Sequence, residues 1–114
     1  MTAHDDAQDA LKLKQISYFL TLADYGSISA AANALNMAQP SLSENIAKLE
    51  RQLDVQLAIR GSRGVQMTEA GMMLVERGRE ILDSVNHLVE DIRLLSGEPR
   101  GPVSIAIPPS LSIL

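Results

Sequence analysis

Gly26-Ser27-Ile28-Ser29-Ala30-Ala31-Ala32-Asn33-Ala34-Leu35-Asn36-Met37-Ala38-Gln39-Pro40-Ser41-Leu42-Ser43-Glu44-Asn45-Ile46-Ala47-Lys48-Leu49-Glu50 is the stretch that decides the fold. Gly26 can take the left-handed conformation that closes a helix, and Ser27 or Ser29 can accept the free N–H groups that open the next one. The helix so started, about 29–36, is short and alanine-rich, with Ala31, Ala32 and Leu35 as candidates for burial. Asn36, Met37 and Ala38 make a tight turn. Pro40 suits the first turn of a third helix, about 39–53, because it lacks the N–H that would go unpaired there. Leu42, Ile46, Leu49 and Leu53 form one stripe of that helix. At about 100° per residue, Pro40, Ser41, Glu44, Lys48 and Arg51 form the opposite, polar stripe.

Upstream, Leu13, Ile16, Phe19, Leu20 and Ala23 repeat at the three-and-four spacing of a helical face, so 13–25 is read as the first helix. Downstream, Leu57-Ala58-Ile59-Arg60 and Val65-Gln66-Met67 flank Gly61-Ser62-Arg63-Gly64, which reads as a β-hairpin over 57–67. Thr68 is a good N-cap for a final helix over 69–95. Its apolar positions Leu74, Ile81, Val85, Leu88, Ile92 and Leu95 alternate by fours and threes once Gly78 fills its gap, a heptad pattern that argues for pairing between chains. Such a helix would run about 40 Å, more than so small a core needs. The alternative is that it packs back on its own three helices.

The expected fold class is therefore mainly α: a winged helix-turn-helix, with a three-helix core and a hairpin wing over 11–67, followed by a dimerisation or linker helix over 68–95. Residues 1–10 read as an acidic, flexible extension. Residues 96–102, with two prolines and two glycines, read as a hinge. Val103, Ile105 and Ile107 alternate with Ser104 and Ala106, a strand signal that makes 103–114 the expected start of a second domain.

At 114 residues the chain accommodates one domain of ordinary size with an appendage. Hydrophobic residues make up 46% and aromatics only 3%, which makes the core aliphatic. The absence of cysteine excludes disulfides, thiolate metal sites and a cysteine nucleophile. His4 and His87 lie far apart in sequence and read as solvated surface residues, so no metal and no cofactor are expected. No serine-histidine-aspartate set or phosphate-cradling loop appears, which argues against an enzyme. The first ten residues contain no apolar run, so neither a signal peptide nor a membrane partner is expected and the cytoplasm is the expected compartment.

A helix with an apolar inner face and a polar outer face, seated on a shorter helix, fits the major groove of B-DNA. Its N-terminal half would meet base edges, which nominates Gln39, Pro40, Ser41, Ser43 and Glu44. Lys48 and Arg51 lie further along and are assigned to phosphates, while Arg60 and Arg63 of the wing are assigned to the minor groove or backbone. Leu74, Ile81, Val85, Leu88, Ile92 and Leu95 are the dimerisation candidates. The expected partners are double-stranded DNA with two-fold related half-sites and a second copy of the chain, with a tetramer of a full-length protein left open. The net charge of −4 opposes a nucleic-acid partner, but its distribution is uneven. Residues 28–67 hold Lys48, Arg51, Arg60 and Arg63 against Glu44, Glu50 and Asp54, whereas 68–98 hold three arginines against seven acids. The rival reading is a protein-interaction module in which the helix-turn-helix has become a docking surface.

The runs Gln15-Ile16-Ser17-Tyr18-Phe19, Gly26-Ser27-Ile28-Ser29-Ala30-Ala31-Ala32, Ala38-Gln39-Pro40-Ser41-Leu42-Ser43 and Arg63-Gly64-Val65-Gln66-Met67-Thr68-Glu69-Ala70-Gly71, with 46–50 between them, resemble the N-terminal domain of LysR-type transcriptional regulators over about 11–96. The resemblance implies a helix-turn-helix over about 28–47 and antiparallel pairing of the long helix. It also implies a periplasmic-binding-protein-like domain beyond 103 that senses a small effector. Three residues depart from the family pattern. Ala38 stands where a capping serine is usual, Ala58 where a buried phenylalanine is usual, and Glu44 where arginine is frequent. A carboxylate at 44 repels phosphate but can accept from cytosine N4, which implies an altered base preference.

Overall fold

The computed structural model describes residues 11–97; the readings of 1–10 and 98–114 lie outside them. Its elements run α1 (Leu13–Tyr25), α2 (Ile28–Leu35), α3 (Gln39–Leu53), β1 (Ala58–Gly61), β2 (Gly64–Met67) and α4 (Glu69–Leu95). The chain divides into two compact units, Met1–Gly78 and Arg79–Leu114.

In the first unit, Gly26 closes α1 at φ 77° and its N–H donates to the Leu22 carbonyl at 2.9 Å. Ser27 opens α2 by accepting from the Ala30 N–H at 3.0 Å. The turn into α3 is made by Asn36, left-handed at φ 57°, with the Met37 N–H donating to the Ala32 carbonyl at 2.9 Å. Asn tolerates this conformation better than most side chains. Ala38 precedes α3 with an extended backbone and no side-chain cap.

The core consists of Phe19 and Leu22 of α1, Ala31 and Ala32 of α2, Leu42, Ile46 and Leu49 of α3, and Leu57 and Ala58. Two sequence expectations change here. Leu22 is fully buried although it lies off the face read for α1, while Leu13 is 45% exposed. The reason is that α1 is covered on two sides. Phe19 and Leu22 face the α2–α3 core, whereas Ile16 and Leu20 lie against Gly78, where an added Cβ would come within 2.8 Å of Ile16 Cγ2. Leu53, expected at the end of the α3 apolar stripe, is exposed beside the left-handed Asp54 that terminates the helix. Gln15 is buried but satisfied: its amide oxygen accepts from the Lys12 N–H at 2.8 Å and its amide nitrogen donates to Gln52 of α3 at 3.0 Å.

β1 and β2 pair antiparallel, with Ala58 opposite Met67 and Gly61 opposite Gly64, leaving Ser62 and Arg63 as a two-residue turn. Leu57 was expected inside the first strand; it precedes β1 and is buried in the core instead. α4 begins at the Thr68 cap, whose hydroxyl accepts from the Gly71 N–H at 3.1 Å and donates to the Gln56 carbonyl at 2.6 Å. Ala70, Leu74 and Val75 pack against the core of this unit. Leu74, expected at the self-pairing seam, is thus already engaged within its own chain.

In the second unit α4 continues to Leu95, and the Ser96 N–H donates to the Ile92 carbonyl at 3.0 Å. Ile81, Leu88, Ile92 and Leu95 are exposed there and Val85 is half-buried. Ser96 and Gly97 begin the expected hinge, with Gly97 at φ 71°.

Candidate nucleic-acid interface

The outer stripe of α3 follows from its inner one. Once Leu42, Ile46 and Leu49 are buried, Pro40, Ser41, Glu44, Lys48 and Arg51 lie on the opposite side, and all five are exposed. Gln39 is exposed at the helix start. Ser43 lies about 200° around the helix from Ser41 and is half-buried, so the structure places it on the flank of the stripe. Asn45, not among the sequence candidates, donates to the Ser41 carbonyl at 2.9 Å.

Glu44 and Arg51, expected at separate tasks, are joined in the structure. Arg51 Nη2 donates to Glu44 Oε2 at 2.9 Å, with both side chains about two-thirds exposed. Two helical turns separate the residues, so they lie on the same face. The pair cancels one positive against one negative charge, and Lys48, between them on the stripe, has no ion-pair partner among the described residues.

The wing is fixed to the helix-turn-helix by contacts at both ends of the hairpin. At β2, the Val65 N–H donates to the Gly26 carbonyl at 2.9 Å. A Cβ on Gly64, at φ 106°, would lie 2.6 Å from that same oxygen, so glycine is required both for the turn and for this approach. At β1, Glu50 of α3 accepts from the Leu57 N–H at 2.8 Å and the Ala58 N–H at 3.1 Å. Charge-assisted bonds of this kind are the stronger ones. In the sequence Glu50 stands out only as one of the acids of this region, and nothing in its spacing discloses the bonds to β1. Arg60 and Arg63 are exposed on the hairpin so held, together with Ile59.

Among the described residues no group of histidine, cysteine or acidic side chains is arranged to hold a metal ion, and no helix is long and apolar enough to cross a membrane.

The model for bacterial regulatory helix-turn-helix proteins of the lysR family matches residues 13–72. The nitrogen assimilation regulatory protein nac of Klebsiella aerogenes is 39% identical over 99 residues, 87% of this chain and 32% of that protein. The DNA-binding transcriptional dual regulator OxyR of Escherichia coli K12 is 35% identical over 101 residues, 89% of this chain and 33% of that protein. This chain therefore spans about a third of the length of the curated relatives it matches. Among solved structures, the BenM DBD in complex with catB site 1 DNA superposes with a TM-score of 0.74 at 31% identity, covering 78% of this chain and 100% of that one. The CbnR DBD–DNA complex gives 0.72 at 31% identity, covering 75% and 99%. With the family model spanning α1 through the first turn of α4, and with both the fold and the wing matched, the chain belongs to the LysR family of bacterial regulatory helix-turn-helix proteins.

Proposed function

We propose that this chain binds duplex DNA sequence-specifically, as a pair of copies, and serves as the reading head of a transcriptional regulator. The observation that carries the proposal is the exposed polar stripe of α3 held in fixed relation to the wing by the Gly26–Val65 hydrogen bond and by Glu50. A preorganised helix and hairpin need little reordering on binding, which favours affinity. In this reading α3 enters the major groove and Gln39, Pro40, Ser41 and Glu44 meet base edges, with Ser43 on the flank. Lys48 reaches phosphate, and Arg60 and Arg63 contact the backbone or the adjacent minor groove.

Ile81, Val85, Leu88, Ile92 and Leu95 supply the seam between copies. One reading head carries few free cations and binds weakly; two on one site act through effective concentration. The pair works in the cytoplasm, and control by a small effector belongs to the sensor domain of the longer regulator. Titrating a fluorescent random-sequence duplex with the protein at rising salt tests the first step. Affinity should fall steeply, with a slope of about 0.9 in log K per neutralised phosphate. Absence of binding at low salt, or binding indifferent to salt, would instead favour the docking-module reading.

A further inference from the structure

We propose that Arg51 is a positioning residue for Glu44 rather than a phosphate contact, and that the ion-paired carboxylate is what makes Glu44 a reader of cytosine. The inference rests on the DNA-binding reading above and deepens it at one position of the site.

Arg51 holds a single oxygen of the carboxylate, Oε2, at 2.9 Å. Oε1 makes no hydrogen bond among the described residues, so an acceptor remains on the exposed stripe of α3. The exocyclic amines of cytosine and adenine are the major-groove donors that such an acceptor suits, but adenine carries its N7 acceptor beside the amine, and guanine O6 and N7 and thymine O4 likewise set an acceptor against an acceptor, which leaves cytosine as the best match. A bare carboxylate entering a groove walled by phosphates is repelled. Paired with Arg51 it enters as a neutral unit, and the guanidinium limits the rotamers that Glu44 can sample before binding. Lys48, on the same stripe, is left to carry the phosphate contact.

The two assignments for Arg51 separate in a double-mutant cycle. A positioning residue acts only through its partner. A phosphate contact acts equally on all sequences and lowers the salt slope by about one.

The test takes a duplex selected from a random pool by the wild-type chain, and a panel carrying each of the four bases at the position where Glu44→Gln changes preference most. Affinities are measured for wild type, Glu44→Gln, Arg51→Met and the double variant, each checked for an unchanged thermal melt. The expected result is that Arg51→Met weakens binding about threefold to tenfold on the duplex with cytosine at that position and less on the other three. In the Glu44→Gln background the same change should have almost no effect. A uniform loss across the panel that persists in that background makes Arg51 a phosphate contact and overturns the proposal. A panel on which Glu44→Gln alters no base preference also overturns it. Failure of the wild-type chain to retain any duplex at low salt overturns the DNA-binding reading itself, a result distinct from both.

Discussion

Gly71→Ala should destabilise this protein, although helix propensity alone points the other way. Gly71 lies in the first turns of α4, where alanine would favour the helix by up to about 1 kcal/mol. A Cβ built at this position would lie 2.0 Å from the Leu57 carbonyl oxygen and 3.0 Å from its carbon, both backbone atoms. Ordinary contact begins near 3.4 Å, so α4 and the segment entering β1 would have to separate by more than 1 Å. That carbonyl accepts from the Thr68 N–H at 3.0 Å, and Leu57 itself is buried in the core. The displacement therefore weakens a hydrogen bond worth about 1 kcal/mol and loosens a large core side chain. Overpacking adds about 1–3 kcal/mol. Set against the propensity gain, the net loss is about 1–3 kcal/mol, or a fall in melting temperature of roughly 4–24 °C for a domain this size. Thermal unfolding followed by circular dichroism reads it directly, with Gly61→Ala as the control, since nothing lies within 4 Å of a Cβ there. An unchanged or raised melting temperature for Gly71→Ala would refute the close packing of α4 on Leu57.

Glu50→Ala should cost about 2–4 kcal/mol in urea unfolding, because two backbone donors at the start of β1 lose their acceptor; Glu50→Gln, which keeps one oxygen, should cost less. Equal stability of the alanine variant and wild type would show that the carboxylate does not hold the wing. Ala38→Ser should stabilise the fold by about 0.5–2 kcal/mol, since residue 38 already has the extended backbone of an N-cap and lacks only the accepting oxygen. A melt that does not rise would mean that the α3 N-terminus gains nothing from a cap. Leu88→Glu places a carboxylate on the apolar seam of α4 and should give monomers in sedimentation at micromolar concentration, with a parallel loss of DNA affinity. Retention of the dimer would move the interface elsewhere.

The helix-turn-helix was legible because its signals are local. Gly26, Ser27 and Pro40 punctuate the chain, and the structure places them at the cap of α1, the cap of α2 and the first turn of α3. Thr68 was legible for the same reason. What the sequence concealed depends on contacts between elements. Leu22 escaped because a three-and-four pattern identifies one face of a helix, and α1 is covered on two. Glu50 has no periodicity that would disclose a bond to backbone seven and eight residues on. Gly64 and Gly71 are ordinary punctuation until the register shows which carbonyl each one faces. The Glu44–Arg51 pair is accessible from spacing, since the residues stand two turns apart on one stripe, but the residue types alone do not say whether each charge meets DNA or its neighbour.

The proposed function requires two copies of this chain to read two half-sites through α3. Selection of bound sequences from a pool of random duplexes, using the 114-residue chain, tests it most directly. The expected result is enrichment of two half-sites related by a two-fold axis, with centres about one helical turn or a multiple of it apart. Enrichment of a single unpaired half-site would contradict the pairing, and no enrichment at low salt would contradict sequence-specific recognition altogether.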